Sequence, residues 1–119
     1  MDTSPTASDE LVVITTRYEL PRAFVMLMRG CADLASSGKL EEIFGEAAGS
    51  GCPVIVDLAG LAFGDEHLLG HLLAAREKGD LTLVGPLSRQ FHHRMDVTGT
   101  VECFDVQPDL TTALTRLSG

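Results

Sequence analysis

The sequence predicts an α/β domain of the open-sheet kind: a mixed, mostly parallel central β-sheet flanked by about four α-helices. Three observations carry this expectation. Short β-branched or apolar runs alternate with segments of helical periodicity, the pattern of βαβ units. One run, Val54-Ile55-Val56-Asp57-Leu58, is apolar at nearly every position, as in a strand covered on both faces. Glycines stand where successive helices should stop.

Residues 1–9, with Thr3-Ser4-Pro5-Thr6, have the composition of a flexible tail. Leu11 to Thr16 is β-branched and predicts a strand. Pro21-Arg22 turns the chain into a second strand, Ala23 to Met28, so the pair should form a hairpin that ends at Gly30. From Ser36 or Ser37 to Ala48, the residues Leu40, Ile43, Phe44 and Ala47 recur on one helical face, and Gly49-Ser50-Gly51 stops that helix. Pro53 opens the central strand, and a loop should follow Leu58. A second helix is expected from about Asp65 to Lys78, with Leu69, Leu72, Leu73 and the stem of Arg76 inward and Asp65 as its cap. Leu81 to Gly85 predicts a short strand. Pro86-Leu87-Ser88 opens a third helix with Phe91 and Met95 inward, closed by Gly99. Val101 to Val106 predicts an edge strand, and Leu110, Ala113, Leu114 and Leu117 a last helix. No internal repeat is present, and a single domain over 10–117 is expected.

The composition narrows the function classes. The chain has 119 residues, 45% hydrophobic and 22% charged, enough for one core. Its 17 acidic against 9 basic residues give a net charge of -8, with no Lys/Arg cluster. Phosphate backbones are bound by such clusters, so direct nucleic-acid binding is not expected, nor is an anionic membrane surface. A basic protein partner suits this charge. The polar start lacks the basic and apolar parts of a secretory signal, and no run approaches the ~20 apolar residues of a membrane span. A cytoplasmic protein without membrane insertion is expected. Cys31, Cys52 and Cys103 form neither a disulfide framework nor a Cys-x-x-Cys pair and should be reduced thiols that pack as small hydrophobes.

Several landmarks resemble the STAS domains of anti-sigma factor antagonists. Val54 to Asp65 is similar to that family's central strand and following loop. Asp65-Glu66-His67-Leu68-Leu69-Gly70 stands where the family has Asp-Ser-Ser-Gly-Leu-Gly at a helix start. Gly30-Cys31-Ala32-Asp33-Leu34 resembles its Gly-Glu-Leu-Asp turn. Leu81-Thr82-Leu83-Val84-Gly85-Pro86 and Val97-Thr98-Gly99-Thr100-Val101 fit two later landmarks. The resemblance spans residues 10–117 and implies the STAS fold.

It also implies a regulatory binding protein. A typical member binds an anti-sigma factor, usually a serine kinase, and so frees a sigma factor for transcription. The kinase phosphorylates a Ser at the start of the second helix, adding about -1.5 to -2 charge there, and the complex breaks. The resemblance implies a partner-binding surface of Asp33, Asp65, Glu66, His67, Leu68 and Leu69. Here both serine positions are degenerate, occupied by Glu66 and His67, so the usual phosphorylation switch should be missing. Leu68 replaces a family Gly and makes the helix start bulkier.

The individual residues leave alternatives open. Glu66 is either a permanent anion imitating phosphoserine or a favourable first-turn acid worth ~0.3–1 kcal/mol. Asp33 is either part of the partner surface or a turn former. Asp57 is expected to hold loop N–H groups. His67 and His71, four residues apart on one helix face, suit two zinc ligands, but no third ligand is identifiable, and His92 and His93 lie on another helix. No metal, no cofactor and no catalytic residue are therefore expected. Two rival functions stand beside the antagonist: a diverged STAS subunit of a transporter or stress-signalling complex, and, from another class, a His-based metal enzyme.

Overall fold

In the computed structural model, which describes residues 10–118, the sheet has five strands in the order β1-β2-β3-β4-β5. These are β1 (Val12–Glu19), β2 (Arg22–Ala32), β3 (Val54–Gly64), β4 (Leu81–Val84) and β5 (Asp105–Gln107). The β1–β2 pair is antiparallel and every other pair is parallel. Four helices accompany them: α1 (Ser37–Ser50), α2 (Glu66–Lys78), α3 (Arg89–Thr98) and α4 (Leu110–Ser118). The expected mixed, mostly parallel sheet with four helices is what forms. The expectation of a flexible tail at 1–9 lies outside the described residues.

Alternation along the strands divides the core in two. Phe24, Met26 and Met28 of β2, with Val54, Val56 and Leu58 of β3, point to the face covered by α1, α2 and α3. Leu40 and Phe44, then Leu68 and Leu72, then Phe91 and Met95 complete that side. Ala23, Val25, Ile55 and Val84 point the other way and meet Ala113 of α4. The run Val54–Leu58 is apolar because it is covered on both sides near its start.

Caps set the helix ends. Gly51 and Gly99 close α1 and α3 in the left-handed region, φ +69° and +72°, which only Gly enters at little cost. Ser88 Oγ accepts from Phe91 N at 3.1 Å. Asp109 Oδ1 accepts from Thr112 N at 2.7 Å at the start of α4. That backbone hydrogen bond, helped by the Thr112 side chain, holds the Asp109 carboxyl below its ordinary 3.8. A depressed folded value stabilises the fold above the unfolded value, and the contribution is lost as pH falls through the folded one. Asp109→Asn should therefore flatten the part of the acid melting profile below about pH 4, measured by circular dichroism.

Four expectations need correction. Strand β2 does not end at Gly30 but passes through it, at φ +94°, to Ala32. Strand β3 continues past Leu58 through the expected loop to Gly64, pairing Arg29 with Gly60 and Ala32 with Gly64 across register shifts. Val101–Cys103 is a 3-10 turn, and the edge strand starts only at Asp105. Arg76 is exposed and not turned inward, whereas Leu69 and Leu72 are buried and Leu73 partly so. The three cysteines are partly buried thiols.

Candidate functional site

Two strand ends create the site. Ala32 and Gly64 are partners in the parallel β2–β3 ladder, so the next residues, Asp33 and Asp65, emerge side by side at the carboxyl edge of the sheet. The Asp65 N–H donates to Ala32 O at 3.0 Å and fastens the two ends. Ligands of open α/β sheets bind outside this kind of edge.

Asp65 is the cap of α2. Its Oδ1 accepts from Leu68 N at 3.0 Å, satisfying one of the free N–H groups of the first turn. Its Oδ2 lies 3.3 Å from His67 Nδ1. The residue is buried, so it orients the surface from beneath. Glu66 and His67 are exposed beside it. Leu68 and Leu69, expected on the contact surface, are instead buried at 0% and 5% exposure. An N-cap at 65 turns the third and fourth residues after it toward the sheet, so these two leucines anchor the helix and present nothing to solvent.

Asp33 is exposed, and its Oδ1 accepts from Ala35 N at 3.2 Å and from Ser36 Oγ at 3.4 Å. It therefore forms the turn that carries Leu34, whose side chain is 71% exposed. This apolar side chain stands open beside Asp33, two residues past the Ala32–Gly64 pair that ends the β2–β3 ladder. Asp57 accepts from Ala59 N at 3.0 Å, the structural role expected of it, though in the middle of β3 and not at its end.

Helix α3 supplies two residues that the sequence did not single out. Gln90 Nε2 donates to Gly64 O at 2.9 Å while its Oε1 accepts from Gly64 N at 2.9 Å. Arg94 Nε donates to the same Gly64 O at 3.0 Å, and its Nη1 is 3.9 Å from Glu66 Oε1. Gln90 and Arg94 thus clasp the last residue of β3, and Arg94 sets a positive charge beside Glu66. Their i, i+4 spacing next to Phe91 and Met95 was a faint signal. The partner, 26 to 30 residues away, was not visible in it.

The ligand atoms of Asp65, Glu66 and His67 lie within 4.8 Å of one another, a spacing that a metal ion could bridge. Each already has a protein partner: a backbone N–H, Arg94 and Asp65, respectively. His71, the other histidine of the i, i+4 pair, is not part of that cluster; its ring stacks on Phe44 of α1, ring centroids 5.2 Å apart. His92 and His93 are exposed on α3.

No protein-family model and no curated protein matches the sequence. Solved structures do match the fold. An anti-sigma factor antagonist from Mycobacterium paratuberculosis superposes with a TM-score of 0.80 at 21% identity, over 93% of this chain and 97% of that one. The unphosphorylated form of the anti-sigma factor antagonist SpoIIAA gives 0.70 at 17% identity, over 91% and 96%. A Thermotoga maritima protein provisionally placed among the anti-sigma factor antagonists gives 0.75 at 11% identity, over 90% and 95%. The fold is that of the STAS-type anti-sigma factor antagonists. Among the described residues no helix is long and apolar enough to cross a membrane.

Proposed function

We infer that this chain is a cytoplasmic regulatory binding protein that engages an anti-sigma factor of the serine-kinase type, frees a sigma factor for transcription, and performs no catalysis. One observation supports this above the others. In a fold shared with anti-sigma factor antagonists, Asp33 and Asp65 emerge from paired strand ends beside exposed Leu34, Glu66 and His67. The contact surface is then Asp33, Leu34, Glu66 and His67, with Asp65, Leu68 and Leu69 fixing its shape from within. An acidic rim around one apolar anchor fits a basic partner surface.

No hydroxyl stands at positions 66 or 67, so a bound kinase has no acceptor at the helix start and ATP does not release the complex. Isothermal titration against each anti-sigma kinase of the same genome, with and without ATP, tests this. One kinase should bind equally in both conditions. Leu34→Lys should weaken that binding at least about tenfold, since it places a charge at the centre of the contact. Glu66→Ser/His67→Ser should bind and acquire ATP-dependent release. Binding to none of the kinases would overturn the proposal.

A further inference from the structure

We propose that the free edge of β1 is a docking surface for a second copy of this chain, the two β1 strands pairing antiparallel about a two-fold axis. It goes beyond the partner surface described above and uses other residues.

Strand β1 lies at the end of the sheet and pairs only with β2, so among the described residues its other side carries unpaired backbone groups along eight residues. Edge strands of this length are ordinarily protected by Pro, a bulge, brevity or charges pointing inward. None of these protects β1. Val12 to Glu19 contains no Pro, and its pairing with β2 runs without a register shift. Its charges, Arg17 and Glu19, sit at one end, and the Arg17 guanidinium lies 5.3 Å from the Phe24 ring centroid within the same chain. The remainder, Val12-Val13-Ile14-Thr15-Thr16, is wholly β-branched and uncharged.

The side chains give a second, independent argument. Opposed residues of an antiparallel pair share a face. Val12, Ile14, Thr16 and Tyr18 oppose Arg29, Leu27, Val25 and Ala23, so they lie on the face that α4 covers. The α4 core reaches Ala23, Val25 and Tyr18, but Val12 and Ile14 stay 47% and 48% exposed. The same strand therefore offers both unpaired hydrogen-bonding groups and an uncovered apolar strip.

That strip is complementary to itself. With the two-fold axis through Thr15, Val12 opposes the partner's Tyr18 and Ile14 opposes the partner's Thr16, while the two Ile14 side chains meet diagonally across the axis. Aromatic with β-branched and β-branched with β-branched are the favourable cross-strand combinations. On the other face Val13 opposes the partner's Arg17, so no like charges are set opposite. The opposite sheet edge cannot continue the assembly. Strand β5 has three residues, and Asp105 on it reaches Arg116 at 3.7 Å. Pairing through β1 alone uses up the long edge in both copies and closes as a dimer. A contact one strand wide falls below the ~1,200 Å² of a standard interface, so the dimer dissociates between about 1 µM and 1 mM.

Sedimentation velocity on the full chain over that concentration range is the test. The mass should rise from the 12.7 kDa of the monomer toward twice that value. Hydrogen exchange in residues 12–19 should slow as concentration increases. Ile14→Lys should raise the dissociation constant at least about tenfold while its circular dichroism and melting temperature stay those of the wild type. Should that variant fail to fold, Val12→Lys takes its place. Leu34→Lys, aimed at the kinase surface, should dimerise normally, so failure here and failure of the proposed function are separable. A single monomer mass up to about 1 mM, or undiminished dimerisation of a folded Ile14→Lys, would overturn the proposal.

Discussion

Leu68→Gly is expected to destabilise the fold by about 3–5 kcal/mol, even though it writes back the residue that the resembled family carries at this position. Leu68 is fully buried, in the core between the sheet and α3. Removing a buried Leu side chain loses its transfer free energy and leaves a cavity, about 2–5 kcal/mol for truncation to Ala. Gly in place of Ala in a helix adds up to ~1 kcal/mol, less in a first turn than in an interior. The urea midpoint should fall by about 2 M with little change in slope. A loss below about 1 kcal/mol would mean that the start of α2 is not packed as described. The functional corollary concerns Asp65. Its bond to Leu68 N and its contact with His67 depend on a helix start held against the sheet, so this variant should also loosen the surface around Glu66.

The sequence revealed the fold more fully than the site, for physical reasons that particular residues display. Val54–Leu58 and the Leu40, Ile43, Phe44, Ala47 stripe are local patterns, and burial of one face is enough to make them legible. The segment Ala59 to Gly64 reads as a loop because it carries two glycines and no β-branched residue. It is strand because its backbone runs alongside the irregular end of β2. A Cβ on Gly60 would meet the Arg29 side chain, so the glycine that argued against a strand is what allows the approach. Asp65 was legible as a cap, since an acid followed by a helical pattern needs no tertiary information. Whether Leu68 and Leu69 face a partner or the core was not legible from the family motif, yet the helical phase set by a cap at 65 decides it. Gln90 and Arg94 could not be found, because their role lies in a carbonyl that only the folded chain brings to them.

Gly64→Ala is the other large effect, expected to cost about 2–3 kcal/mol through overpacking. Gly64 does not stand at a positive φ, so the reason for glycine is space alone. A Cβ there would lie 2.6 and 2.8 Å from Cδ1 and Cε1 of Phe91 and 2.9 Å from Cδ2 of Leu68. Both neighbours are 0% exposed, so neither can swing into solvent to make room. Relief requires α3 to move from the sheet. That movement works against the clasp in which Gln90 and Arg94 bond to Gly64, so the methyl group should weaken the hold of Arg94 near Glu66 as well. A double-mutant cycle separates this account from a general loss of stability. Leu68→Ala removes one of the clashing atoms, so Gly64→Ala combined with Leu68→Ala should cost less than the sum of the two, by about 0.5–1 kcal/mol in urea unfolding. Full additivity would show that the methyl group is accommodated without reference to Leu68. In that case the packing of β3, α2 and α3 around Gly64 would not be what positions the charged rim of the site.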